Sequence, residues 1–284
     1  MINVQNLLFT YSGNAEPTLQ GLDFTIAKGE IFGFLGPSGA GKSTTIKILI
    51  GILKNYQGQV TVLNRELRRI NADYYESIGV AFEFPNLYSK FTALENLRFF
   101  SKLYKGPTTN PLDLLTMVGL ETDQNTRIAE FSKGMKMRLN FCRSLLNNPD
   151  LLFLDEPTSG QDPVNLRKIK DIILEQKSKG TTVCITTHDM HVADSLCDRV
   201  AFIVDGKIAL VDSPRALKLQ HGSRMVRVEY RDKGSLKNKD YSLDSLATNQ
   251  DFQNLLSSFP VETIHTQEAT LEDIFIKTTG RKLQ

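Results

Sequence analysis

Nowhere in the 284 residues is there a run approaching the ~18 consecutive apolar residues of a membrane-spanning helix. The start, Met1-Ile2-Asn3-Val4-Gln5, also lacks the basic-then-apolar order of a secretory leader. The expectation is a cytosolic chain, so any membrane partner has to be a separate protein. An excess of one charge is missing as well: 34 Lys and Arg against 32 Asp and Glu leave a formal net charge of +2, with the two signs well mixed. That balance gives no electrostatic footprint for DNA or RNA, and no nucleic-acid partner is expected. Cysteine is scarce: Cys142, Cys184 and Cys197 are odd in number, lack metal-ligand spacing and sit in apolar segments, which reads as buried free thiols of a reducing compartment. No internal repeat or low-complexity segment stands out. With 40% hydrophobic residues the chain can bury a full core, as one large domain or one domain with an appendage.

Against these absences stands one dense stretch, Gly36-Pro37-Ser38-Gly39-Ala40-Gly41-Lys42-Ser43-Thr44, between the apolar run Ile31–Leu35 and the apolar-periodic run Thr45–Leu53. It reads as strand, glycine-rich turn and helix. Gly36, four spacers, Gly41, Lys42 and Ser43 fit a phosphate-binding loop, in which backbone N–H groups close around phosphate oxygens at a helix N-terminus. In that reading Lys42 reaches the β- and γ-phosphates and Ser43 holds Mg²⁺.

Residues 2–11 and 19–27 alternate as strands and suggest an antiparallel edge sheet. Tyr11 ends the first, where its ring can stack on a purine base or merely cover a sheet edge. Strands are expected at Gln57–Leu63 and Ser77–Phe82, the second followed by Glu83 and by Pro85, which forces an exit from the sheet. Helices follow at Thr92–Tyr104, Pro111–Val118 and Ser132–Leu146. An insert of this length between parallel strands implies a helical subdomain, about 84–149. The strand 150–154 ends in Asp155-Glu156, carboxylates placed where α/β folds bind ligands. Alternation along a strand would point the two side chains to opposite sides. A helix Pro163–Ser178 capped by Asp162, a strand Thr181–Thr187 ending at His188, a short helix Ala193–Cys197 and a hairpin through Asp205-Gly206 complete an α/β domain at 1–220. A smaller α+β appendage is expected over 221–284. Its basic residues, among them Arg224, Arg227, Arg231, Lys237 and Lys239, fit a solvated face or contact with a membrane surface or partner.

The phosphate loop, Asp155-Glu156 and His188, together with Phe131-Ser132-Lys133-Gly134-Met135-Lys136-Met137-Arg138, resemble the ATP-binding subunit of ABC transporters over about residues 1–220. The resemblance implies a P-loop NTPase core with an antiparallel β edge and a helical subdomain. Its implied ligands are ATP and Mg²⁺. It makes Asp155 the carboxylate that holds Mg²⁺ and Glu156 the catalytic neighbour, a candidate base for the attacking water. His188 becomes the sensor of the γ-phosphate. Ser132, Lys133, Gly134 and Met135 become the signature that contacts ATP held by a second subunit, although Ser132 also suits a plain helix N-cap. Ser159, Gly160, Gln161 and Asp162 become the loop that crosses between subunits of a homodimer or heterodimer. A separate membrane permease is the implied partner, placing the chain on the inner face of the cell membrane. The segment Phe84–Phe91 falls where the family docks its permease, unless its aromatics pack inside the helical subdomain.

Two departures accompany the resemblance. Glu83 stands where the family usually has glutamine: it can still ligate Mg²⁺, but it adds negative charge near the γ-phosphate and cannot donate a hydrogen bond. Lys133 and Met135 replace a glycine and a glutamine of the signature without touching Ser132 or Gly134. The ending Ala269–Lys277, with Glu156-Pro157-Thr158-Ser159-Gly160, resembles bacterial exporters of drugs, antibiotics and bacteriocins. The expected function is ATP hydrolysis that powers export. The alternatives are an ABC-type ATPase without a permease, or a low-turnover regulatory nucleotide-binding module.

Overall fold

Strand β1 (Ile2–Phe9) pairs antiparallel with β2 (Leu19–Ile26), from Ile2 opposite Ile26 to Phe9 opposite Leu19. The computed structural model describes residues 1–222 and 224–281. After β3 (Ile31–Leu35) and α1 (Lys42–Leu49), β4 (Gln57–Val62) and β5 (Arg65–Glu66) complete a four-stranded antiparallel sheet in the order β2-β1-β4-β5. Next come α2 (Ala72–Glu76) and β6 (Ile78–Ala81), then three helices, α3 (Ala93–Ser101), α4 (Pro111–Met117) and α5 (Lys133–Ser144). The rest of the first unit is β7 (Leu151–Asp155), α6 (Pro163–Ser178), β8 (Thr182–Thr187), α7 (Met190–Leu196), β9 (Arg199–Val204) and β10 (Lys207–Asp212).

The second sheet runs β10-β9-β3-β8-β7-β6, parallel throughout except for the return of β10 along β9. Every residue of β3, β7 and β8 is buried, which is why these segments read as continuous runs rather than alternations. The core of this unit joins Phe24, Phe32 and Phe34, whose rings stack or meet edge to face, to Leu7, Leu22 and Ile46. Several helix starts are set by side chains at the N-terminus. Thr92 and Glu95 form a reciprocal capping box before α3, Asn110 precedes Pro111 at α4, and Asp162 accepts from the Val164 and Asn165 N–H groups before α6. The α/β class with an antiparallel sheet and inserted helices is the expected one.

Pro214–Arg281 forms a separate unit. It contains α8 (Pro214–His221), β11 (Met225–Asp232), β12 (Ser235–Ser242), α9 (Gln250–Ser258), β13 (Val261–Gln267) and α10 (Leu271–Thr279). Its antiparallel sheet has the order β12-β11-β13 and carries Val226, Val228, Tyr241 and Leu255 in a small core. The division falls between Ser213 and Pro214 rather than at 220/221, because α8 packs on α10. The expected appendage also takes in Ser223 and residues 282–284, which lie outside the described residues.

Candidate nucleotide site

Since β3, β8 and β7 are neighbours in the parallel sheet, their C-terminal ends bring three distant pieces of sequence together: the loop after Leu35, the Asp155-Glu156 pair and His188. A cavity of about 320 Å³ opens there, lined by Ser38, Gly39, Gly41, Lys42, Ser43, Thr44, Glu83, Glu156 and His188. The loop needs glycine for two different reasons. A Cβ at Gly36 would lie 2.1 Å from the Ile203 carbonyl oxygen, so the backbone passes too close to β9 for any side chain. Gly41, at φ 107°, occupies a conformation that L side chains rarely adopt and presents no side chain to cap α1. The first-turn N–H groups of α1 thus face a ligand site without a competing side-chain acceptor. Pro37 and Ala40 shape the turn, the Ala40 N–H donating to the Pro37 carbonyl at 3.3 Å.

Lys42 Nζ donates to the Gly36 and Pro37 carbonyls at 2.7 and 2.9 Å, so its ammonium is held over the loop. Burial lowers its pKa, against the opposing pull of Glu156, Asp155 and Glu83. Ser43 Oγ donates to Asp155 Oδ1 at 3.0 Å, and Thr186 Oγ1 donates to the same oxygen. Glu156 Oε1 lies 2.9 Å from His188 Nδ1. Burial raises the Glu156 pKa, outweighing the His188 hydrogen bond and the Lys42 charge that act to lower it. The simple alternation expected for Asp155 and Glu156 does not hold. Strand β7 stops at Asp155, and Glu156 has φ 51°, a left-handed conformation that costs a non-glycine residue of order 1 kcal/mol and clusters at functional sites. Its N–H is held by the Thr186 carbonyl and hydroxyl oxygens at 3.1 and 3.2 Å. Its carboxyl group nevertheless reaches the cavity.

Tyr11 lies just past β1, edge-on to Phe9, and its hydroxyl is 3.2 Å from Thr44 Oγ1, which puts the ring beside the phosphate-loop helix. Ser132, Lys133, Gly134 and Met135 do not line this cavity. Ser132 caps α5, its Oγ accepting from the Met135 N–H at 3.2 Å. The Gly134 carbonyl accepts from Gln161 Nε2 at 3.2 Å, so the signature and the Ser159-Gly160-Gln161-Asp162 loop touch within one chain. The Lys133 side chain runs past Gly160. The aromatics after Glu83 divide: Tyr88 and Phe91 cluster with Phe99 and Phe100 of α3, whereas Phe84 is 73% exposed. In the C-terminal unit Arg224, Arg227, Arg231, Lys237 and Lys239 each pair with a carboxylate, as a solvated face would. Sequence reasoning missed Thr186, which orients Asp155 and holds the Glu156 N–H; its one signal was a β-branched hydroxyl next to the end of a buried strand.

A six-stranded, mostly parallel sheet that ends in a phosphate loop, a buried Asp-Glu pair and a facing histidine defines a P-loop nucleotide hydrolase. Comparisons with known proteins narrow the class. Residues 19–159 match the ABC transporter family, and residues 224–268 match the fluoroquinolone efflux ABC transporter C-terminal domain. A fluoroquinolones export ATP-binding protein of Mycobacterium tuberculosis (strain CDC 1551 / Oshkosh) is 56% identical over 284 residues, 100% of this chain and 94% of that protein. Nod factor export ATP-binding protein I of Rhizobium sp. (strain N33) is 39% identical over 216 residues, 74% of this chain and 71% of that one. Among solved structures, a dimeric ATP-binding cassette in a post-hydrolysis state with ADP and Pi superposes with a TM-score of 0.67 at 28% identity, covering 75% of this chain and 98% of its own. The chain belongs to the ATP-binding subunits of ABC transporters, and it is an ATPase of that family.

Proposed function

We propose that the chain powers export through a separate membrane permease, binding and hydrolysing ATP as one of two cassettes, homodimeric or heterodimeric, on the cytoplasmic face of the membrane. The observation that carries the reading is the convergence of Lys42, Ser43 with Asp155, and Glu156 with His188 around one cavity. Lys42 and the loop N–H groups neutralise the β- and γ-phosphates. Glu156 orients the attacking water and accepts its proton, and His188 steadies Glu156 while facing the γ-phosphate. Tyr11 stacks on the base. Ser132 and Gly134 complete the partner cassette's site, and the Ser159–Asp162 loop crosses with them. Among the described residues no helix is long and apolar enough to cross a membrane, consistent with a permease on another chain. Exposed Phe84 belongs to the face it would meet.

The oxygen donors fit Mg²⁺. Ser43 and Asp155 already meet through one hydrogen bond and Glu83 lines the same cavity, a hydroxyl-and-carboxylate set suited to a hard cation that keeps water and phosphate in its shell. When bound, Mg²⁺ offsets charge on the β- and γ-phosphates. Glu83 adds a negative charge beside them, which favours the metal-bound nucleotide.

The relatives named for fluoroquinolones, Nod factor and lantibiotic handle different chemistries, which fits substrate choice by the permease. Whole-length similarity and the C-terminal match favour a cargo of the fluoroquinolone kind. Reconstituted with its permease, the chain should drive Mg²⁺-ATP-dependent fluoroquinolone movement that Lys42→Ala abolishes. Undiminished phosphate release by Lys42→Ala would overturn the site assignment, and no association with a membrane protein in pull-downs would overturn the transport reading.

A further inference from the structure

One stripe of α5 and the turn after it grips the backbone of β6 and the segment beyond. Asn140 Nδ2 donates to the Phe82 carbonyl at 2.7 Å, and Arg143 Nη1 donates to the Asn86 carbonyl at 2.9 Å. Asn147 Nδ2 reaches the carbonyls of Glu76 and Ile78 at 2.9 and 3.0 Å. Between them α5 lies against the strand itself, since a Cβ on Gly79 would come 1.9 Å from the Ser144 carbonyl oxygen. Spacings of three and four residues put these groups on one helix face. The Phe82 and Asn86 carbonyls, held by Asn140 and Arg143, bracket Glu83 in sequence.

Asn140 is the informative member. Its side chain is fully buried, and its Oδ1 has no hydrogen-bond partner among the described residues, an arrangement that costs free energy and is retained where the amide does something an apolar residue cannot. Strand β6 stops at Ala81, so the Phe82 carbonyl has left the ladder. That carbonyl and the Glu83 N–H belong to one planar peptide unit. Fixing the carbonyl therefore fixes the plane from which Glu83 projects into the cavity beside Lys42 and Glu156. Helix α5 also starts at the Ser132 cap, about 12 Å away along its axis. The group that sets Glu83 is thus carried by the helix that presents the signature.

We propose that Asn140 is the positioning residue for Glu83, holding that carboxylate where it acts on metal-bound ATP; the inference rests on the cavity being the nucleotide site. Asn140 does not line the cavity and works through the Phe82–Glu83 peptide.

The test is a double-mutant cycle on the purified full chain, read by binding of a fluorescent ATP analogue with Mg²⁺ and with EDTA. Asn140→Ala should weaken Mg²⁺-dependent binding about fivefold, within the usual range for coupled neighbours. It should have no further effect in a Glu83→Ala background, and little effect in EDTA. An equal loss in both backgrounds, or an equal loss with and without Mg²⁺, would show mere structural damage and overturn the proposal. If Asn140→Ala does not fold, Asn140→Ser reads the same cycle. Lys42→Ala serves as the separate control: if it binds the analogue like the parent, the nucleotide site itself is misassigned, whereas loss in Lys42→Ala with an additive cycle sinks only the role of Asn140.

Discussion

The nucleotide cavity and the C-terminal unit treat charge in opposite ways. In the cavity, burial drives Lys42 and Glu156 towards their neutral forms, and neighbouring opposite charges only partly restore them. In the C-terminal unit, hydrogen bonds between exposed partners drive charged forms on. Arg227 is raised and Asp240 lowered by their two contacts at 2.7 and 2.8 Å, and Lys239 and Asp251 behave likewise. The first arrangement costs stability and is tolerated because desolvated charges act strongly on a phosphate. The second costs little and contributes little, as solvated pairs do. Charge content alone hides this difference, because both regions carry both signs.

The comparison breaks most visibly in catalysis. Glu156→Gln should cut steady-state phosphate release by ~10²–10³-fold while leaving ATP binding intact, whereas Lys42→Ala should lose both. Charge-removing changes in the C-terminal unit, such as Arg227→Ala, should leave the rate of the isolated chain within about twofold. A rate loss comparable to that of Glu156→Gln would mean that the paired face is more than scaffold. A core change sharpens the contrast from the other side. Val228 is fully buried in a cluster of only four buried hydrophobic residues, so Val228→Ala should destabilise that unit by about 2 kcal/mol. Differential scanning calorimetry should show this as an early transition, with the ATPase unit melting as before.

Much of the site was legible because its chemistry is contiguous. Gly36–Thr44 carries its glycines, lysine and serine in one stretch, and the buried strands before Asp155 and His188 are continuous apolar or β-branched runs that announce themselves. The α/β class followed from the same runs. Hidden from sequence were features made by distant pairing. Alternation misled at Glu156, because the peptide there is turned into a left-handed conformation by contacts with Thr186 on the next strand. The Asn140 bond to Phe82 joins residues 58 apart and has no local signature. The short helix α2 and the first half of β12 leave no clear mark in the sequence: β12 is an exposed polar edge with little periodicity, held by pairing to β11. Helix α8 looked like the end of the first domain because only its packing on α10 assigns it elsewhere.

The smallest effects test the comparison most directly, because they turn on sign. Glu156 has a raised pKa in the fold, so its titration contributes stability that is present below the ordinary carboxylate pKa and is lost as pH rises through the raised value. Glu156→Gln, which keeps the shape and discards the charge, should therefore melt above the parent at neutral pH without nucleotide. A gain of about 1 kcal/mol, or roughly 2–4 °C, is expected, shrinking on acidification. Asp240 has a lowered pKa, so its contribution is present above the ordinary value and disappears as pH falls through the lowered one. Asp240→Asn should accordingly lower the C-terminal unit's melting temperature at neutral pH by no more than about 1 °C, and salt should erase the difference. The two neutralising changes thus have opposite signs at pH 7, and both differences close towards acid pH. If Glu156→Gln melted below its parent at neutral pH, the left-handed carboxylate would be a stabilising contact of the fold rather than a charge held at a cost for catalysis.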